Sequence, residues 1–303
     1  MSRTTYEIEE ITNEAKKAYV ISSKIQVNFI HNRFDVIYNN DYLLFHILNR
    51  KNKDMEYYVP VKIIKNTAFL AIQLTYIETG ALLALIKYLF RRFLIWKVKF
   101  KFSLNNIAKN QQKSYFVVYL PADIEDFNGK LSHNTRYNIS RYTKYLEKNF
   151  VYSIGHFPKN EIIDNRIYEQ YCQFKKVTHN YSNTQSAVGY INDNHITDAL
   201  VMYLNNKIVS IVFLNILDNS AFLENITYDV RYRNSSVGTI LYYNTIKWLI
   251  GRNIRTFYLY DGTGEYKKRF NGTEIIAYNG TFYRYSFINL FLYFFRKLFQ
   301  YHK

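Results

Sequence analysis

The stretch from Tyr228 to Thr239 constrains the fold more than any other part of this sequence. A β-rich run (Ala221 to Thr227) precedes it, a helical pattern (Gly238 to Ile250) follows it, and a further strand pattern covers Ile254 to Asp261. The stretch therefore predicts a loop that leads from a strand into the start of a helix. Backbone N–H groups at a helix start have no partner within the helix, and the helix dipole favours an anion there.

The composition of this loop suits a phosphate group. Two arginines supply positive charge, and small residues at the helix start allow a pyrophosphate to approach the main chain closely. The residues predicted to bind the phosphates of a cofactor such as coenzyme A are Arg231, Arg233, Ser235, Ser236, Val237, Gly238 and Thr239. The alternative is an ordinary polar loop before a helix, since short glycine motifs often match by chance.

The second half of the chain has the order β-β-β-α-β. Strand patterns cover Asp198 to Leu204, Lys207 to Ile216 and Ala221 to Thr227, and turn residues at Asn205-Asn206 and Asp218-Asn219 separate them. Short polar turns between strands indicate an antiparallel meander. The loop, the helix and the last strand complete the unit, and a helix is predicted ahead of it, over residues 161–177.

The first half repeats this order. Its predicted elements are strands at residues 42–48, 55–64 and 67–75, a helix at 80–90 and a strand at 94–102. We therefore predict an α/β (α+β) fold with two β-β-β-α-β units in tandem, in which mixed, mostly antiparallel sheets are flanked by helices. The predicted divisions are residues 1–110, 111–285 and a basic, apolar C-terminal helix at 286–303.

The two predicted helix starts differ in charge. The later one is approached by Arg231 and Arg233, whereas the earlier one is approached by Glu78. A glutamate at a helix start repels a phosphate. The later unit is therefore expected to hold the cofactor, and the earlier unit is expected to be structural or to shape the acceptor site.

The overall charge favours acidic partners. The chain of 303 residues has 40 Lys and Arg against 24 Asp and Glu, a net charge of +16, which suits phosphorylated cofactors, sugar nucleotides, anionic membranes or nucleic acid. The single cysteine, Cys172, excludes an intramolecular disulfide. No signal peptide or membrane-spanning run is evident, so the expected location is the cytoplasm. The C-terminal helix could contact the inner face of the membrane or pack on the domain.

A basic amphipathic helix is predicted between the two units, from Ser132 to Phe150. Its apolar residues fall on one arc, and Arg136, Arg141, Lys144 and Lys148 fall on the opposite side. Such a face is either a solvated surface or a basic wall for an acceptor that carries a diphosphate.

Three segments carry a resemblance to a known family. They are Leu120-Pro121 with Thr135 to Arg141, the loop Tyr228 to Thr239, and Gly264 to Phe270. Over roughly residues 20–285 the chain resembles the GNAT acyltransferase superfamily, in particular the tandem-GNAT enzymes of cellulose and exopolysaccharide clusters and the related Fem-type peptidoglycan-bridge enzymes. Superfamily members usually carry Arg/Gln-x-x-Gly-x-Gly/Ala in the phosphate loop. Here only Gly238 is a glycine.

The resemblance implies acyl transfer from acyl-CoA, without a metal, to an amine or less often a hydroxyl. A base must take the proton of the acceptor, and an acid must protonate the departing thiolate. Tyr266 is the candidate acid. Glu224 and Asp261 are the candidate bases, with Asp229 as a third option, and Glu224 is expected to share a strand face with Phe222, Ile226 and Tyr228. The residues that match acceptor-side segments are Arg136, Tyr137, Arg141, Lys267 and Phe270.

The leading hypothesis is an acyl-CoA-dependent N-acyltransferase that acts on an amino sugar or a nucleotide- or lipid-linked glycan precursor of the cell surface. A Fem-type enzyme that uses aminoacyl-tRNA is the first alternative. A basic nucleic-acid-binding protein is the second, and it is disfavoured because no recognised nucleic-acid module is present.

Overall fold

The computed structural model describes residues 6–23, 42–50, 52, 55–72, 77–104, 112–164, 166–179, 186–261 and 264–284. The chain forms two compact units, Met1–Lys113 together with Ile276–Lys303, and Ser114–Ile275. The helix expected at residues 286–303 lies outside the described residues. None of the described helices is both long and apolar enough to span a membrane.

The first unit is built on a sheet with the strand order β1-β2-β3-β4-β5-β12. Its strands are β1 (Tyr6–Ile11), β2 (Tyr42–Asn49), β3 (Glu56–Ile64), β4 (Thr67–Leu70), β5 (Lys97–Ser103) and β12 (Thr273–Tyr283, from Ile276 onward), and its helices are α1 (Glu14–Ser23) and α2 (Thr79–Arg92). The recorded pairs are antiparallel except β4 with β5, which are parallel and are connected through α2. Leu82 and Leu85 of α2 pack on Phe45 and Val59 of the sheet.

The second unit is built on a sheet with the strand order β6-β11-β10-β9-β8-β7. Its strands are β6 (Gln112–Tyr119), β7 (Tyr152–Pro158), β8 (Asp198–Leu204), β9 (Lys207–Leu217), β10 (Ser220–Tyr228) and β11 (Thr256–Asp261). Its helices are α3 (Ile124–Lys130), α4 (His133–Asn149), α5 (Lys159–Asp164), α6 (Ile167–His179), α7 (Ala187–Asp193), α8 (Val237–Gly251) and α9 (Glu265–Arg269). The recorded pairs are antiparallel except β10 with β11, which are parallel.

The predicted β-β-β-α-β order is confirmed in both units. It consists of β2, β3, β4, α2 and β5 in the first unit, and of β8, β9, β10, α8 and β11 in the second. In each unit the helix joins the third strand to a parallel fourth strand, a connection that needs a crossover. The helix predicted over residues 161–177 is instead two helices, α5 and α6. Arg166 between them has a φ of 52°, which a right-handed helix cannot continue through.

Helices cover both faces of the sheet in the second unit. Ile240 and Leu241 of α8 pack with Val212 of β9, while on the other face Tyr171 of α6 packs with Phe213 of β9. Strand β9 is therefore buried on both sides, which explains its nearly continuous apolar sequence.

Candidate functional site

The parallel strands β10 and β11 separate part-way along their length. Their pairing runs from Ser220 opposite Thr256 to Phe222 opposite Tyr258, and no later pair between them is found in the described part of the chain. Strand β11 continues along β6 as far as Asp261. The recorded pairing of the two strands thus ends at Phe222, and the stretch beyond it is called the gap between β10 and β11.

A β-bulge lies at this gap. The register of β10 against β9 shifts between Leu223 and Asn225, so Glu224 is the extra residue that faces no partner position. Its carboxylate accepts a hydrogen bond from Asn215 Nδ2 at 2.8 Å. The side chains of Ile226 and Tyr228 pack instead with the cluster that contains α8. The expectation that Glu224 shares a face with Ile226 and Tyr228 was wrong, because the bulge breaks the two-residue alternation of the strand.

The loop after β10 is a 3₁₀ helix (Val230–Ser235) that begins at Asp229. Asp229 accepts a hydrogen bond from the Arg231 amide (3.0 Å) and a two-pronged contact from its guanidinium, with Nη2 to Oδ2 at 2.6 Å. This pairing with Arg231 lowers the pKa of Asp229, so the carboxylate stays ionised and is a poor base. The Arg231 side chain is nevertheless 81% exposed, and Arg233 is exposed as well.

Ser236 holds a glycine-like conformation at the start of α8. Its φ of 52° lies in the left-handed region, at the place where the superfamily pattern that begins at Arg233 has its first glycine. A hydrogen bond joins its side chain to Tyr142 of α4 and lowers the pKa of that phenol, with a further contribution from Arg141. The guanidinium of Arg141 lies 4.6 Å from the centroid of the Tyr142 ring. Helix α4 thus contacts the turn that leads into α8.

The first amides of α8 follow this turn. The Ile240 amide makes the first helical bond, to the Ser236 carbonyl at 3.0 Å, and the Ser236 side chain accepts no capping hydrogen bond. In the described part of the chain the amides of Val237, Gly238 and Thr239 have no acceptor. The Val237 side chain is buried, whereas Thr239 is exposed. Ser235 is also buried, so Val237 and Ser235 have the least accessible side chains of the predicted phosphate-binding residues.

Packing explains the glycine at 238. A Cβ at this position would lie 3.1 Å from Cδ1 of Tyr228, which is closer than most Cβ contacts. A side chain at this position would therefore press against the Tyr228 ring.

The corresponding helix start in the first unit is preceded by an acid. Glu78 comes before the helix without capping it, and its Oε2 is buried with no hydrogen-bond partner among the described residues. At Gly80 of α2, a Cβ would lie 2.7 Å from the hydroxyl of Tyr6, so the Tyr6 ring packs against this glycine. A carboxylate thus precedes α2, whereas two arginines precede α8.

Tyr266, Lys267 and Phe270, which follow β11, are largely buried. The ring of Tyr266 meets that of Tyr242 edge-on at 5.4 Å, and burial raises the pKa of Tyr266, which keeps the phenol protonated. Lys267 is 4% exposed, with Nζ 5.6 Å from the Phe116 ring, and Phe270 is 1% exposed within the core. Packing accounts for Phe270, and a substrate contact of Lys267 or Phe270 stays a prediction.

The remaining predicted residues fall at two places. Asp261 is the last residue of β11, opposite Tyr115. Arg136 donates to the carbonyls of Asn128 (3.1 Å) and Leu131 (2.7 Å), and so it caps the end of α3. Tyr137 is exposed, and the Arg141 guanidinium lies 5.9 Å from its ring.

Sequence reasoning missed three residues of this region. Tyr142 was counted among the apolar residues of its helix, and the hydrogen bond of its hydroxyl group was not expected. Asn215 interrupts a buried apolar strand, and a lone amide at such a place is a signal that it makes specific hydrogen bonds. Tyr6 gave no signal, because its contact with Gly80 depends on long-range packing.

The comparisons with known proteins agree with this fold. The family model for the acetyltransferase (GNAT) domain matches residues 192–268. The second unit has a GNAT fold. Among solved structures, FemX superposes with a TM-score of 0.58 at 9% identity, over 91% of this chain and 96% of that chain. No curated protein sequence was found to match.

Two further solved structures are similar over most of their length. The C-terminal domain of a protein assigned as a lysylphosphatidylglycerol synthetase from Agrobacterium fabrum has a TM-score of 0.56 at 9% identity, covering 88% of this chain and 90% of that chain. L-PGS from Bacillus licheniformis has a TM-score of 0.50 at 9% identity, covering 94% and 96%. At such identities these similarities establish the fold alone.

Proposed function

We propose that the second unit transfers an acyl group from acyl-CoA to the amine of an amino sugar or a related glycan precursor. One observation carries this proposal. The start of α8 is preceded by two arginines, and its first three amides have no acceptor among the described residues. The start of α2 is instead preceded by Glu78, whose Oε2 is buried. The match of residues 192–268 to the acetyltransferase (GNAT) domain supports the choice of acyl-CoA as donor.

The residues present fit the phosphates of coenzyme A. The amides of Val237, Gly238 and Thr239 would donate to a pyrophosphate, and the dipole of α8 would stabilise its charge. Arg233 and the exposed part of Arg231 would add charge-assisted hydrogen bonds. The acyl arm would lie along β10 beyond Phe222, where the recorded pairing with β11 ends, and a backbone amide of this strand would stabilise the developing oxyanion.

The reaction needs two proton transfers. Glu224 or Asp261 takes one proton from the acceptor ammonium, and the free amine then attacks the thioester carbonyl carbon. The C–S bond breaks as the C–N bond forms, and the thiolate takes a proton from Tyr266. The second proton leaves the nitrogen and, through solvent, replaces the proton that Tyr266 gave up. The carboxyl group then releases its proton to solvent, so an amide, a free thiol and one proton result.

The charge of the protein indicates the class of acceptor. Tyr137 and Arg141 on α4 lie beside Tyr142, which contacts the start of α8, and the net charge of +16 favours an acceptor that carries phosphate. We therefore assign the acceptor to the nucleotide- or lipid-linked amino sugars used in cell-surface polysaccharide synthesis, at the inner face of the membrane.

Thiol release tests the proposal. Purified protein is mixed with acetyl-CoA and glucosamine, or with a nucleotide-linked amino sugar, and free thiol is followed with a dye. Acceptor-dependent thiol release supports the proposal. No release with short or long acyl-CoA and any amino sugar in the panel would refute it.

A Fem-type transferase that uses aminoacyl-tRNA is the second candidate. The similarity in fold to FemX over 91% of this chain favours it, and the positive charge suits tRNA. Silence with every acyl-CoA, together with transfer from charged tRNA to an amine acceptor, would decide for this candidate.

A further inference from the structure

Two part-buried sets of hydrogen bonds connect the bulge in β10 to helix α7. Asn215 of β9 donates from Nδ2 to Glu224 Oε1 (2.8 Å) and to the carbonyl of Asn194 (3.0 Å), the residue that ends α7. Asn225 donates to the hydroxyl of Tyr190 on α7 at 3.5 Å. Glu224 and Asn225 thus make these side-chain hydrogen bonds on the face of the sheet opposite α8.

The orientation of the Asn215 amide is fixed by its partners. A backbone carbonyl accepts only, so the group that faces Asn194 must be the NH₂ group, and the same group then donates to Glu224. Asn215 is fully buried, and its Oδ1 has no hydrogen-bond partner in the described part of the chain. A buried amide oxygen without a donor costs free energy. An apolar residue would avoid this cost in a strand that is otherwise apolar.

The contacts of Nδ2 explain why an amide occupies this position. We infer that Asn215 is a positioning residue, which holds the Glu224 carboxylate at the gap between β10 and β11 so that it can take a proton from the acceptor. The bulge alone leaves Glu224 outside the regular register of the strand, and the donor at 2.8 Å fixes where its carboxylate points.

This inference rests on the proposed function in taking the acceptor to be an amine. One N–H bond of the acceptor ammonium breaks, its proton goes to a carboxylate oxygen of Glu224, and the electron pair stays on nitrogen. The Asn215 donor lowers the basicity of Glu224, and what it contributes is a fixed position of the carboxylate that accepts the proton. The phenols of Tyr190 on α7 and Tyr258 on β11 are titratable groups on the flanking elements, and burial raises the pKa of Tyr258 to about 12.

The first test follows the Glu224 carboxyl itself. Protein labelled with ¹³C at glutamate carboxyls is titrated by NMR, and E224Q assigns the signal. In Asn215→Leu, which keeps the volume and removes the donor, the midpoint of Glu224 should rise by about one pH unit. Asn215→Asp, which keeps the shape and adds a like charge, should raise it at least as much. Asn244→Leu, which removes an amide of α8 that donates to the hydroxyl of Tyr152 on β7, is the matched control and should leave the midpoint unchanged.

The second test is kinetic, with acetyl-CoA and glucosamine as the probe. Asn215→Leu should lower kcat by about tenfold or more, since general base catalysis contributes roughly 10²- to 10⁴-fold in full. The acid limb of its pH–rate profile should move by the same amount as the NMR midpoint, with KM for acetyl-CoA within about twofold of the wild-type value. A residue that only supports the fold would not move the acid limb.

The outcomes separate the two proposals. An unchanged Glu224 midpoint in Asn215→Leu and Asn215→Asp, with native circular dichroism, overturns the inference and leaves the proposed function standing. If one variant does not fold, the other decides. Absence of thiol release by the wild-type protein overturns the proposed function, and the NMR titration then decides the positioning role alone.

Discussion

Thr239→Asp should change the stability of the second unit and its affinity for coenzyme A in opposite directions. Thr239 is exposed in the first turn of α8, so an aspartate adds charge there without altering the core. That charge interacts with the helix dipole and should stabilise the fold by about 0.3–1 kcal/mol. The same charge repels a phosphate bound at the helix start. At about 6 Å and an effective dielectric constant of about 20, the repulsion is about 3 kcal/mol before salt screening.

After screening, this repulsion corresponds to a loss of affinity of about tenfold to hundredfold. Calorimetric titration with coenzyme A measures the affinity, and urea unfolding measures the stability. Thr239→Asn, which is neutral and similar in size, should bind within about twofold of the wild type. Thr79→Asp makes the same change at an exposed residue in the first turn of α2 and should leave the affinity unchanged. Wild-type affinity in Thr239→Asp, or an equal loss in Thr79→Asp, would refute the reasoning.

Three further predictions follow from single contacts. Arg136→Ala removes the cap of α3 and should lower the free energy of unfolding in urea by about 1 kcal/mol, with unchanged affinity for coenzyme A; a matching loss of affinity would mean that Arg136 binds the ligand. Tyr266→Phe should reduce turnover in thiol release more than affinity for coenzyme A, and wild-type turnover would exclude Tyr266 as the acid. Burial raises the pKa of Tyr152 and Tyr258 to about 12, above about 10 in the unfolded chain. Their contribution to stability is therefore complete below about pH 10 and is lost as the pH rises toward 12. Urea unfolding between about pH 8 and 11 should show the decline, which Tyr258→Phe should reduce, and a flat profile would contradict it.

The elements that carry strong local patterns were predictable from the sequence. The strand before Tyr228, the helix after Gly238 and the cap at Ser132 follow from alternation, helical periodicity and a short polar side chain. The repeated β-β-β-α-β order followed from these elements, because each pattern depends on residues close in sequence.

The details of the site depend on contacts between distant residues. Glu224 forms a bulge only because β9 and β10 pair with a shifted register. A serine at position 236 does not by itself indicate a left-handed conformation. Its hydrogen bond with Tyr142 involves a residue of another helix, which a local pattern does not show. Arg136 reads as part of a basic face, and its role as a cap requires the end of α3 beside it. A local sequence pattern gives no information about these contacts between distant residues.

Hydrogen–deuterium exchange with and without acetyl-CoA tests the central claim most directly, because it reports which main-chain amides the ligand covers. We predict slower exchange in peptides that cover residues 229–240, with no change in peptides that cover the start of α2 at residues 78–85. Unchanged exchange at 229–240 with saturating acetyl-CoA, or protection at the start of α2 instead, would contradict the account.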